Sequence, residues 1–286
     1  MKRSYTWEKI ERWRDRVHRR TPGLAVATRR QALDFVNSVG FCFAFKAENS
    51  ELPCLWHAAC GMRDPRMPRH THNDPAISFV WRMKDELPAE RKIYYGKLLK
   101  GRPTMVSIEY LPHFYVLAGR TGAKDEVEQE HRRGNLTTSA RRIMEALRDS
   151  WPQTTKGLKL ATGLHGKSDR AMFDKAIAEL QTKMFIVKVA EEYDPFGFVW
   201  APFVKVFPAE VRKARRISPD QARTFILERY FANQFISTVT FVQRLFRWSR
   251  KDIYHALGQL MQEGIVRSDI MVEGKDHRYY CCVERH

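Results

Sequence analysis

The chain has 286 residues, 43% of them hydrophobic, with 50 Lys and Arg against 33 Asp and Glu, a formal charge of +17 and a pI near 9.8. That length and apolar content suit two cored domains or three small ones, and a cation surplus that folding does not need points to a polyanionic partner. No apolar run reaches membrane-spanning length, no apolar leader follows Met1-Lys2-Arg3, and Cys42, Cys54, Cys60, Cys281 and Cys282 form no Cys-x-x-Cys pair, so a cytoplasmic protein with reduced thiols is expected.

Tyr5 to Arg20 reads as a basic amphipathic helix, with Trp7, Ile10, Trp13 and Val17 on one face and Pro22-Gly23 ending it. A second helix is predicted from Ala27 to Val39, closed by Gly40. Phe41 to Phe45 is too short for a helix and reads as a buried strand or turn. Leu55 to Cys60 is a short helix, and the Pro-, Arg- and His-rich 61–74 segment is a loop. Ala76 to Met83 and Pro88 to Leu99 read as separate helices, with Pro88 in a first turn. Thr104 to Ile108 is a strand candidate, Leu111 to Leu117 is ambiguous, and the charged, Gly-bounded 124–135 segment reads as a linker.

From Ser139, a candidate N-cap, the pattern becomes regular. Helices are predicted at 140–148, 155–161 and from Asp169, then strands at 184–189 and 198–200. The order recurs as helices at 220–230, 239–246 and 250–263, then strands at 265–271 and 279–283 around Gly274, with Val211 to Arg216 as a basic linker. The two third helices share a register: Arg170 meets Arg250, Phe173 meets Ile253, Ala176 meets Ala256, Ile177 meets Leu257, and Leu180 meets Leu260. Three helices and a two-stranded wing make a winged helix-turn-helix. The expected fold is therefore mainly α with small β wings, an α+β chain of tandem winged helix-turn-helix units. Its segments are 1–135 (helical or winged-helix-like), 136–207 and 208–286 (both winged helices).

Such a unit presents one helix to the DNA major groove while flanking cations neutralise phosphates. The candidates are Lys156, Lys159, His165, Lys167 and Arg170 in the earlier unit, and Arg247, Arg250, Lys251 and Tyr254 in the later one, with Lys275 and Arg278 on its wing. The expected partner is double-stranded DNA, with no membrane and no nucleotide cofactor.

The arrangement resembles the YcaQ/AlkZ-type crosslink-repair DNA glycosylases, a family of tandem winged helices. Val39-Gly40-Phe41-Cys42-Phe43-Ala44-Phe45, followed by Leu55-Trp56, looks like that family's Leu-Gly-aliphatic-aliphatic-Gln-x-(Gln/Asp) segment and its Leu-Trp element. The stretch from Asp85-Glu86 to Tyr94-Tyr95 looks like its later basic and aromatic helix. The resemblance implies recognition or excision of alkylated or crosslinked bases. It also implies a polar pair that positions water and stabilises positive charge on the sugar. Here Phe43 and Phe45 stand in those places, and phenylalanine can only stack or pack. The chain thus looks like a branch without the usual pair. Either another group acts, or the protein binds without cleaving, as a regulator or damage-binding factor.

Breaking an N-glycosidic bond builds oxocarbenium character, so a carboxylate near the sugar helps, electrostatically or as a base for water. Glu48 and Glu51 follow the motif directly and are the catalytic candidates, with Asp74, Asp85 and Glu86 next. Phe43, Phe45 and Trp56 are the candidate base-stacking surfaces. A competing reading makes Glu51 a helix cap and the aromatics core.

Two other signals carry less. Ala161 to Ser168 passes a relaxed P-loop pattern, but a helix is predicted before it where a buried strand is needed. Cys54, His57 and Cys60, with His70 and His72, match no common zinc spacing. No metal or cofactor is expected. The nucleoid is the expected place of the DNA-bound protein, and an RNA- or protein-binding module is the remaining alternative.

Overall fold

The computed structural model describes residues 4–46, 52–69, 73–194 and 196–283. An arm comes first: β1 (Ser4–Tyr5) and α1 (Trp7–Val17), the helix capped by Thr6, whose hydroxyl accepts from Lys9 N. One order of elements then runs three times: helix, strand, helix, helix, strand, strand. Unit one is α2 (Arg29–Val39), β2 (Phe41–Phe43), α3 (Leu55–Cys60), α4 (Pro75–Ala89), β3 (Ile93–Lys97) and β4 (Pro103–Ser107). Two connecting helices follow, α5 (Leu111–Leu117) and α6 (Glu126–Arg132). Unit two is α7 (Thr138–Asp149), β5 (Gln153–Thr154), α8 (Thr155–Ala161), α9 (Arg170–Thr182), β6 (Ile186–Tyr193) and β7 (Phe196–Pro202). After α10 (Phe203–Val206) and α11 (Pro208–Ala214), unit three is α12 (Pro219–Gln234), β8 (Ile236–Ser237), α13 (Val239–Phe246), α14 (Arg250–Gln262), β9 (Val266–Val272) and β10 (Lys275–Cys282).

In each unit the last strand lies between the other two and is antiparallel to both: β2-β4-β3, β5-β7-β6 and β8-β10-β9. This is winged-helix topology in three copies. The N-terminal half, whose kind the sequence left open, is the first of them. The repeat register holds: Phe173, Ala176, Ile177 and Leu180 are buried on α9, and Ile253, Ala256, Leu257 and Leu260 on α14. One apolar cluster joins all three units, from Phe41 and Tyr94 through Met184 and Val187 to Ile226 and Leu257.

The arm closes the chain on itself. β1 pairs in parallel with β9, Ser4 opposite Met271. Trp13 Nε1 donates to Ala232 O at 3.0 Å, Arg14 Nε to Gln234 O at 3.1 Å, and His18 Nε2 to Asn233 O at 3.0 Å. These donors satisfy carbonyls that the end of α12 leaves without helical partners. Asn233 Nδ2 in turn donates to Val39 O at 2.8 Å, tying α12 to α2. Between them Gly40 has φ +74°, and a Cβ there would sit 2.9 Å from the Tyr110 ring, so only glycine fits.

Several expectations need correction. Residues 93–97 are a strand, not part of a helix from Pro88. The helical burial step continues through Ile77, Val80, Met83 and Leu87, so α4 runs on and Pro88 falls in its last turn. The 124–135 segment is not a bare linker. Glu126 and Glu130 of α6 turn inward, Glu126 accepting from Thr121 N at 2.7 Å and Glu130 from Arg120 at 3.0 Å. The 211–216 segment is largely helix, because Val211 and Ala214 enter the core. Thr137, not Ser139, caps α7. Among the described residues no helix is long and apolar enough to cross a membrane.

Candidate nucleic-acid interface

Unit three carries an open basic surface. Ser249 caps α14 by accepting from Asp252 N at 3.1 Å. The apolar step of the helix buries one face and leaves Arg250, Lys251, Tyr254 and Met261 exposed on the other. The β9–β10 wing turns at Gly274 (φ +71°) beside that face. Between α13, α14 and the wing lies a groove of about 1380 Å³, and Arg250, Tyr254, Lys275 and Arg278 line it. These are four of the six residues predicted for this unit. Arg247 caps α13 in the left-handed region (φ 60°) and, with Lys251, is exposed at the same corner outside the groove's walls.

Arg244, Arg250 and Lys275 form no ion pair among the described residues. Arg278 reaches Asp269 at 3.3 Å, with both side chains largely exposed, so solvent screens that contact. Arg244, His277, Phe241 and Trp7 also line the groove and were missed. Arg244 stands between buried Val242 and Leu245, a signal the sequence did hold. Trp7 arrives only because the arm folds back onto the wing.

Unit two is more restricted. Lys156, His165, Lys167 and Arg170 are exposed. Lys159 is half-buried with its ammonium 5.2 Å from the Phe173 ring centroid, and Arg170 faces Asp174 at 3.9 Å. The end of α9 packs on unit one, where Lys97 N donates to Gln181 Oε1 at 3.4 Å. Two equivalent groove-reading helices were expected; one is free and the other is partly covered. The Gly163–Ser168 segment joins α8 to α9, so no strand precedes it to build a phosphate loop.

The motif in unit one folds inward. Phe43 and Trp56 are each only 2% exposed and belong to the core, which corrects their reading as stacking surfaces. Phe45 is half-buried, with its ring 5.9 Å from that of Trp81. Glu48 and Glu51 lie outside the described residues, as do His70 and His72. Asp74 is the N-cap of α4, accepting from Ile77 N at 2.8 Å. Asp85 belongs to an ion cluster across units one and two. Its carboxylate takes hydrogen bonds from Lys84 at 2.6 Å and Lys188 at 3.0 Å, and both lysines also pair with Glu191. Desolvation pushes the Asp85 carboxyl up, but the hydrogen bonds and positive charges of Lys84 and Lys188 together hold it below the usual carboxylate value. Cys54 donates to Ala44 O at 3.6 Å, and no group of three His, Cys, Asp or Glu among the described residues could hold a metal ion.

Residues 26–247 match the model of a family described as AlkZ related. The chain belongs to that family. The matched span takes in units one and two and ends on the cap of α13, three residues before α14. Among solved structures, the Streptomyces sahachiroi DNA glycosylase AlkZ is similar with a TM-score of 0.61 at 13% identity, over 98% of this chain and 70% of that one. At that identity the AlkZ-related chain and the glycosylase share a fold. A search of curated proteins found no match.

Proposed function

We propose that this AlkZ-related chain is a duplex-DNA-binding protein of base-damage repair, held on its substrate by the groove of unit three. The observation that carries the reading is the free face of α14. Arg250 stands there beside Arg244 and Lys275, with no carboxylate paired to any of the three among the described residues, next to an exposed Tyr254. Cations in this state release condensed counterions when they meet phosphate, and the +17 charge steers the encounter. Family membership supports alkylated or crosslinked duplex as the substrate class.

Binding without the family-type polar chemistry fits the geometry better than excision by the motif positions. The Phe43 ring is packed in the core and Phe45 rests on Trp81. Were base release found, Glu48 and Glu51 would be the candidate carboxylates for it. Fluorescence anisotropy with one duplex, with and without an N7-alkylated guanine, across a salt series tests binding. Alkaline cleavage of the same samples reports abasic sites. Tight, salt-sensitive binding without cleavage is the expected result. Cleavage lost in Glu48→Gln with Glu51→Gln makes the protein an enzyme, and no duplex binding at low salt refutes the proposal.

A further inference from the structure

We propose that the cleft between units one and two is a separate pocket for a flat heteroaromatic ring, a nucleobase turned out of the helix. The inference rests on the DNA-binding reading. The cleft has a volume of about 570 Å³. Phe196, Phe198 and Trp200 alternate along β7, so all three rings share one face of the strand. They meet edge to face, with centroids 5.3 Å and 5.7 Å apart. Trp81 of α4, Tyr95 of β3 and Gln181 of α9 complete the walls.

The rings are held and yet open. Trp81 is 51% exposed and Phe196 63%, so both rings can be reached by a ligand in the cleft they line. Phe45 packs against Trp81, whose ring also carries the Lys84 ammonium 4.6 Å from its centroid. The Thr155 hydroxyl fixes Trp200 by accepting from its Nε1 at 3.0 Å. Lys188 lies 5.5 Å from the Tyr95 centroid and 5.4 Å from that of Phe198.

Charge and hydrogen bonding select the occupant. Lys84 and Lys188 are neutralised by Asp85 and Glu191, so these four groups leave no net charge to draw a phosphate inside. Gln181 is 8% exposed, and the Lys97 N–H bound to its Oε1 fixes the amide. Gln181 lines the cleft, and its Nε2 has no hydrogen-bond partner among the described residues. An amide N–H beside several π faces suits a ring with an acceptor on its edge, as every nucleobase has. Lys97 lines the cleft and is exposed, with no ion pair among the described residues, free for the phosphate next to the base.

The test uses two labelled duplexes of one sequence, one fully paired and one with 2-aminopurine opposite a stable abasic analogue, which lowers the cost of turning the base out. The protein is expected to prefer the second and to quench 2-aminopurine emission on binding. Trp81→Ala with Phe196→Ala should weaken that duplex by roughly tenfold and leave the paired one unchanged. Trp81→Phe should keep the preference, and Gln181→Leu should reduce it. Both ring positions are exposed, and unchanged melting temperatures verify the fold. Equal weakening of both duplexes, or of neither, overturns the pocket. If the wild type binds neither duplex, the DNA-binding reading fails by itself and free 7-methylguanosine decides. Saturable tryptophan quenching lost in Trp81→Ala keeps the pocket, and no quenching overturns it.

Discussion

On unit three, α14 turns Arg250, Lys251 and Tyr254 to solvent beside a wing whose Lys275 is also free. On units one and two the corresponding helices, α4 and α9, face one another's units, and Lys84 and Lys188 between them are tied up with Asp85 and Glu191. The same topology thus yields an open cationic surface in one place and a neutralised, aromatic joint in the other. The difference lies in what each third helix buries. α4 buries Ile77, Phe79, Val80, Met83, Lys84, Leu87 and Pro88, enough to face both its own sheet and its neighbour, whereas α14 buries four residues on one stripe.

The largest expected effect is at the joint. Lys84→Met with Lys188→Met strands two carboxylates, Glu191 with a side chain only 8% exposed, and should cost about 3–5 kcal/mol in urea unfolding. Adding Asp85→Asn and Glu191→Gln should restore most of it. If the double variant is as stable as wild type, the joint holds by its rings alone. On unit three the expectation reverses. Arg250→Glu with Lys275→Glu should leave stability within about 0.5 kcal/mol but lower duplex affinity by roughly a hundredfold at low salt. Lys156→Glu with Lys167→Glu on unit two should cost clearly less, and equal losses would erase the contrast between the units.

Acid should divide the molecule along similar lines. His18 is held well below its usual pKa by burial, then by Arg20 and Arg14, against the hydrogen bond to Asn233. His57 is lowered to about 4, first by burial and then by Lys46 and Arg20. Unfolded histidines take up a proton below about 6.5, and these native ones resist it. The unfolded state therefore binds more protons, so stability falls as pH drops from about 6.5 toward 4, by up to ~1.4 kcal/mol per unit per histidine. Hydrogen exchange should show the arm, unit one and the end of α12 losing protection before unit two. His18→Gln should flatten the slope, and an unchanged slope would clear His18. The smallest effect is a single charge: Arg250→Ala should reduce the slope of log K against log salt by about 1.

The copies of α9 and α14 were legible because each buries one stripe at helical spacing, so Phe173 and Ile253 announce themselves. Unit one was not, because α4 is buried on two sides and includes Lys84, which breaks the binary pattern. The 124–135 segment looked like a linker for a related reason: its inward groups are Glu126 and Glu130, and a buried carboxylate looks like a solvated one until its arginine is known. At the candidate site, Arg250, Tyr254, Lys275 and Arg278 could be named because a helix start and a wing turn are local features. Trp7 in the groove and Trp81 in the cleft depend on contacts far apart in sequence, which no local period encodes.

The arm adds one more consequence, for the living cell. Trp13, Arg14 and His18 bind carbonyls 219, 220 and 215 residues further along, and Ser4 pairs with Met271. At roughly 5–20 residues per second of synthesis, the first helix leaves the ribosome many seconds before its acceptors exist. Its apolar face, Ile10 with Trp13, has nothing to settle on until α12 and β9 emerge. Burial of Ile10 and Trp13 thus waits for completion of the last unit, and a truncated nascent chain would leave that part of the helix exposed.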